Sequence, residues 1–91
     1  MEFKPEEVAD FLNNFEKVKQ QIRSFPGCQH LELYRGKNDA DIFFTYSKWS
    51  SEEALEAYRS SALFRGVWAT TKVKFRSKPQ AWSVDCLHRL D

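Results

Sequence analysis

Apolar residues recur at three- and four-residue steps from Val8 through Phe11, Leu12, Phe15, Val18 and Ile22, while Asp10, Asn14, Lys17 and Gln21 fall largely on the other side. That spacing predicts an amphipathic helix with one buried face. Pro5 suits a first helical position, and Glu6 and Glu7 suit the positive end of the helix dipole. Pro26 disfavours helical geometry at Phe25 and Gly27 permits a sharp turn, so the helix is expected to end near Ser24. Asn13 and Asn14 are both expected to be exposed on it.

The period then changes from 3.6 to 2. Cys28–Arg35 alternates, with Leu31 and Leu33 on one face and His30, Glu32 and Tyr34 on the other. After the turn-rich Gly36–Ala40, the aromatic and β-branched run Asp41–Trp49 reads as a second strand, and the two form a hairpin. Ser50 and Glu53 are spaced as a capping box, opening a helix in which Ala54, Leu55 and Tyr58 share a face. Ser60-Ser61 interrupts it before Leu63, Phe64, Val67 and Trp68 resume the stripe. Past the basic positions Lys72, Lys74, Arg76 and Lys78, expected to form a solvated helix end, a last strand is predicted over 80–88, where Trp82, Val84 and Cys86 alternate with polar neighbours. With a short strand at Met1–Lys4, the order is a split βαβ pattern: an α+β fold with an antiparallel sheet and helices on one face. The other sheet face would carry His30, Tyr34, Phe44, Tyr46 and Trp82, too aromatic for bulk water, so a homodimer with sheets face to face is expected.

Ninety-one residues suit one small domain spanning 1–91. Fourteen Lys and Arg against thirteen Asp and Glu give a net charge of +1, too little to hold nucleic acid by charge alone. No apolar run exceeds three residues, far short of the roughly 20 that span a membrane, so a soluble, cytoplasmic chain is expected. Cys28 and Cys86 lack metal-site spacing and are expected to be reduced, with Cys28 buried as a small apolar residue. Neither a carboxylate pair on an apolar face nor a nucleophile-elbow serine supports hydrolysis.

Phe25-Pro26-Gly27-Cys28, the strand end Phe43–Trp49, Ser51–Tyr58 and Ser61–Phe64 together resemble the antibiotic biosynthesis monooxygenase family, over Phe3 to about Val84. The resemblance implies a dimeric α+β barrel of ferredoxin-like subunits. It implies oxidation of a small quinol or polycyclic phenol by molecular oxygen without metal, flavin or other cofactor. Relatives begin with a longer first strand, so that strand is short here or the chain begins internally. A heme-degrading branch uses a Trp and a His ligand on the second helix, where this chain is matched by Tyr58 and Trp68, neither of them a plausible axial ligand. The quinol-oxidising branch often has a His at the position of Tyr58.

Such chemistry needs a proton acceptor and an aromatic pocket that confines the substrate. His30, whose side-chain type allows a neutral imidazole at cellular pH, is the better base candidate; its structural alternative is a hydrogen-bonded or exposed sheet histidine. His88 is a weaker candidate near the chain end. Tyr58 is the second catalytic candidate, and Tyr46, Tyr58 and Trp68 are candidate substrate-binding residues whose alternative is ordinary core packing. Trp49 and Phe64 read as structural. The competing function is a non-catalytic aromatic-metabolite binding or stress-response protein of the same fold.

Overall fold

Pro5 begins the first helical turn because its missing N–H is one that a helix start leaves unbonded anyway. In the computed structural model, which describes residues 1–91, a 3-10 turn at Pro5–Glu7 runs into helix α1, Val8–Arg23. Val8, Phe11 and Ile22 are buried along it, as the spacing predicts. The helix stops at Ser24, and Gly27 adopts a φ of 89°. A Cβ at Gly27 would lie 2.4 Å from the Ala54 Cβ, so this turn tolerates no side chain where it meets the second helical region. Ser50 closes the same junction by donating its N–H to the Gly27 carbonyl at 2.8 Å.

Strands β1, Cys28–Arg35, and β2, Phe43–Trp49, form the expected antiparallel hairpin, with Tyr34 opposite Phe44 and Glu32 opposite Tyr46. One register shift falls between Cys28 and His30. It sets His30 opposite Lys48 and Cys28 opposite Trp49, so the thiol turns to the buried, helix-bearing face while the imidazole stays on the other.

Met1–Lys4 is a rudimentary strand bonded on both sides. Phe3 N–H donates to the Asp41 carbonyl and Phe43 N–H to that of Met1, while Lys4 N–H donates to Lys74 and Arg76 N–H to Glu2, all at 2.9 Å. The order across the sheet is therefore the Phe75 segment, the N-terminal segment, β2 and β1, the split βαβ order. Phe3, Val8, Phe11 and Phe43 form the core, with the Phe3 and Phe11 rings stacked at 4.2 Å.

Two short helices follow, α2 at Glu52–Arg59 and α3 at Ala62–Thr71, broken at Ser60-Ser61 as the sequence indicates. The cap of α2 is Ser51, whose hydroxyl accepts from Ala54 N–H at 3.1 Å, one residue later than the Ser50–Glu53 spacing predicts. Ser51 has the extended backbone a cap requires, and Ser50 is committed to Gly27. Ser61 caps α3 through Phe64 N–H in the same way.

Two expectations for the C-terminal region are corrected. Lys74 is buried, its Nζ donating to the Thr70 carbonyl at 2.6 Å and pairing with Asp10 at 3.1 Å. Arg76 holds Glu2, Asp39 and Asp41 at 3.2, 2.8 and 3.1 Å. Half of the basic run thus fastens the sheet edge to α1 and to the loop before β2. The strand expected over 80–88 does not form within the chain: Gln80–Asp91 is exposed and carries no secondary structure. Phe75 already occupies the position beside the N-terminal segment, and Pro79 has no N–H to offer a ladder.

Candidate functional site

Alternation along the hairpin places His30, Glu32, Tyr34, Phe44, Tyr46 and Lys48 on the sheet face that no helix covers. Tyr34, Phe44 and Tyr46 are exposed there to 49, 58 and 41%, an aromatic surface on a small chain. The His30 Nε2 is in hydrogen-bond contact with the Glu32 carboxylate. The contact engages Nε2 and leaves Nδ1 without a protein partner. The Tyr46 ring meets His30 edge-on at 6.0 Å between centroids, and the Lys48 ammonium lies 6.0 Å from the Tyr46 ring centre. An imidazole held by a carboxylate, an aromatic floor and a cation share one surface.

Tyr58 and Trp68 lie on the opposite side of the sheet. Tyr58 stacks on Trp49 at 5.0 Å and meets Phe25 and Phe64 edge-on, while Trp68 stacks on Phe64 and touches Phe75. Through Phe75 and Phe3 this ladder of rings continues into the core. Trp49 and Phe64 are its structural links, matching their sequence reading. Burial raises the Tyr58 phenol above its ordinary value, with the nearby Cys28 thiol adding to the effect, so the hydroxyl stays protonated. The four sequence candidates therefore divide into two pairs, one on each side of the sheet.

The helix-bearing side offers little room. A groove of about 270 Å³ between α1 and β1 is lined by Phe15, Leu31 and Leu33 with Lys19, Gln20 and Arg23. A space of about 30 Å³ between α1 and α3 includes Asn14, which is half-buried rather than exposed as expected; Asn13 is exposed. The half-burial follows from the packing of α3, through Val67 and Thr70, beside Phe15 and Val18. Cys28 is buried, matching its sequence reading, and Cys86 and His88 lie on the exposed C-terminal segment. No three His, Cys, Asp or Glu side chains cluster closely enough to hold a metal ion. No helix is long and apolar enough to cross a membrane.

Glu32 and Lys48 are the polar neighbours of His30 and Tyr46 that the sequence did not single out. The signal was present in the two-residue spacing of His30 and Glu32 on one strand. Lys48 required the hairpin register, which the shift beside Gln29 alters by one residue.

The model of the antibiotic biosynthesis monooxygenase family matches residues 1–69. The protein YcnE of Bacillus subtilis (strain 168), described as a candidate monooxygenase, is 28% identical over 69 residues, which are 76% of this chain and 73% of that protein. Among solved structures, an antibiotic biosynthesis monooxygenase superimposes with a TM-score of 0.88 at 19% identity, over 94% of this chain and 90% of that one. A candidate member from Caulobacter crescentus CB15 gives the same score and identity over 97% and 84%. A conserved protein of Methanosarcina mazei Go1 gives 0.80 at 19% identity, over 85% and 76%. These likenesses show that the chain shares the ferredoxin-like α+β fold.

Proposed function

The chain belongs to the antibiotic biosynthesis monooxygenase family, and on that premise we propose that it oxidises a small quinol or polycyclic phenol with molecular oxygen, as a cytoplasmic homodimer without a metal or organic cofactor. The observation that carries this reading is the His30–Glu32 contact at the centre of an aromatic sheet face. His30 Nδ1 takes the hydroxyl proton of the substrate, and Glu32, bonded at Nε2, holds the tautomer and stabilises the imidazolium that results. Tyr46 and Phe44 supply the surface on which a planar ring rests, and Lys48 lies close enough to steady the phenolate. The phenolate is electron-rich and passes electrons to oxygen. Oxygen then bonds to a ring carbon, and the hydroperoxide loses water to leave a carbonyl. A phenol and O2 thus become a quinone and water, with all four electrons drawn from the substrate.

In this reading Tyr58 and Trp68 act from the other side of the sheet. Their ladder fixes the end of β2 at Trp49, one residue from Lys48.

A second reading is sequestration of an aromatic metabolite without turnover on the exposed Tyr34, Phe44 and Tyr46 surface, and it is favoured by the packing of Tyr58, the second catalytic candidate, against Trp49 away from that face. Oxygen uptake with a panel of quinols and anthrones, in the presence of chelator, separates the two. Turnover is expected above the spontaneous rate, with a loss of about 100-fold or more in His30→Ala at unchanged subunit assembly. Saturable binding of these compounds with no uptake above the spontaneous rate would favour sequestration.

A further inference from the structure

The groove between α1 and β1 is a cavity that the proposed reaction does not use. Leu31 and Leu33 turn to the helix-bearing side of β1, opposite in parity to His30 and Glu32, and with Phe15 they form its floor. All three stay half-buried, so α1 leaves this part of the sheet incompletely covered. Its volume of about 270 Å³ is at the small end of ligand clefts, room for one ring and a short chain.

The two ends of the groove differ. Phe15 lies against Phe11, with ring centroids 6.1 Å apart, and Leu33 packs on the core, so this end is apolar. The chain reverses at Pro26-Gly27, which brings the last turns of α1 beside the start of β1. There Lys19, Gln20 and Arg23 form the rim, and no carboxylate lines the groove. Arg23 donates from Nη1 to the Cys28 carbonyl at 2.8 Å, which fixes the guanidinium while its other N–H groups form no ion pair. Lys19 is held at 2.8 Å by Glu16, which lies outside the lining with its side chain 71% exposed. From Phe15 to Arg23 the helix covers about 12 Å, at a rise of about 1.5 Å per residue. A cation in the last turn also answers the helix dipole, which accounts for Arg23 but not for Lys19 one turn earlier or for the apolar floor beneath both.

We propose that this groove binds a small aromatic monocarboxylate, its ring on Phe15, Leu31 and Leu33 and its carboxylate between Lys19 and Arg23. The planar guanidinium matches the two oxygens of a carboxylate, and the Gln20 amide offers a further donor. An apolar floor alone would take a neutral ring equally well, so the cations at one end select the class of ligand. The site lies on the opposite side of β1 from His30 and Glu32. It depends neither on the reaction proposed for that face nor on subunit assembly.

A 15N NMR titration with phenylpropionate, beside its uncharged amide, tests the assignment on the unaltered chain. Saturable shifts are expected at the backbone amides of Leu31, Leu33 and the Lys19–Arg23 turn, with the acid bound at least about tenfold more tightly than the amide. That preference should shrink as salt rises from about 0.05 to 0.5 M. Lys19→Gln with Arg23→Gln, which keeps a donor for the Cys28 carbonyl, should remove the preference and leave binding of the amide unchanged. Equal binding of acid and amide, shifts confined to the His30 face, or a titration without saturation overturns the proposal. So does a ligand-free change in the groove amides with protein concentration, which would mean that a second copy fills the groove.

Discussion

The imidazole of His30 is bonded through Nε2 to the carboxylate of Glu32, two residues along the same strand and on the same uncovered sheet face. A strand sets alternate side chains side by side, so the pair needs no long-range packing to meet. The contact engages Nε2 and leaves Nδ1 without a protein partner. In the proposed mechanism Glu32 is a positioning residue, acting on the substrate only through His30.

Glu32→Gln is expected to retain the fold and the dimer while lowering kcat more than it raises KM. A glutamine can offer its N–H to Nε2 and favour the other tautomer, and it cannot balance the charge of the imidazolium. The pH–rate profile should shift with it, whereas a merely structural role would leave the profile in place. Steady-state kinetics across pH 5–9 with an anthrone substrate check both.

Gly27→Ala should destabilise the protein by about 2 kcal/mol or more, combining a left-handed backbone with overlap at the Ala54 Cβ. The damage falls where α1, β1 and α2 meet. Urea unfolding followed by tryptophan fluorescence measures it, and Gly66→Ala is the control, because a Cβ there meets nothing within 4 Å.

The hairpin and helices were legible because local signals coincide: Pro5 at the helix start, Pro26-Gly27 at its end, and alternation on both strands. Parity along those strands also placed His30 and Tyr46 on one face. Tyr58 and Trp68 are a different case, since a helical stripe states that it is buried without stating which side of the sheet buries it. Lys74 and Arg76 read as solvated because Asp10, Glu2, Asp39 and Asp41, the carboxylates that hold them, lie 35 to 74 residues earlier in the chain. Residues 80–88 show the converse limit, for a period of two indicates a strand and is silent about what it pairs with.

Lys74 lies under the body with its ammonium on Thr70 and Asp10. Lys74→Ala removes the packed stem and both contacts, and is expected to cost about 1–3 kcal/mol. Lys74→Met keeps most of the stem and should cost less than Lys74→Ala, since the Asp10 carboxylate left behind is largely exposed to water. Thermal unfolding of the two variants gives the comparison.

Asp39 and Tyr58 link the stability of the fold to pH. Asp39 is held below the ordinary carboxylate value, chiefly by the Asp41 N–H and then by Arg76, so its contribution is present above about pH 4 and is lost as pH falls through its lowered value. Tyr58 is raised by burial, so the fold keeps its full contribution below about pH 10, and loses it as the unfolded phenol ionises while the buried one does not. Tyr58→Phe should flatten the alkaline loss and leave the acid limb unchanged in a stability-against-pH series. Arg76→Met should reduce the acid limb, and its effect should shrink as salt rises from about 0.05 to 1 M.

Labelling with 18O2 tests the central claim most directly, using an anthrone substrate with chelator present. The product is expected to carry one labelled oxygen per molecule, with the second label in water, and to be nearly lost in His30→Ala. Recovery of unlabelled substrate, or a labelled product formed equally well without His30, would contradict it.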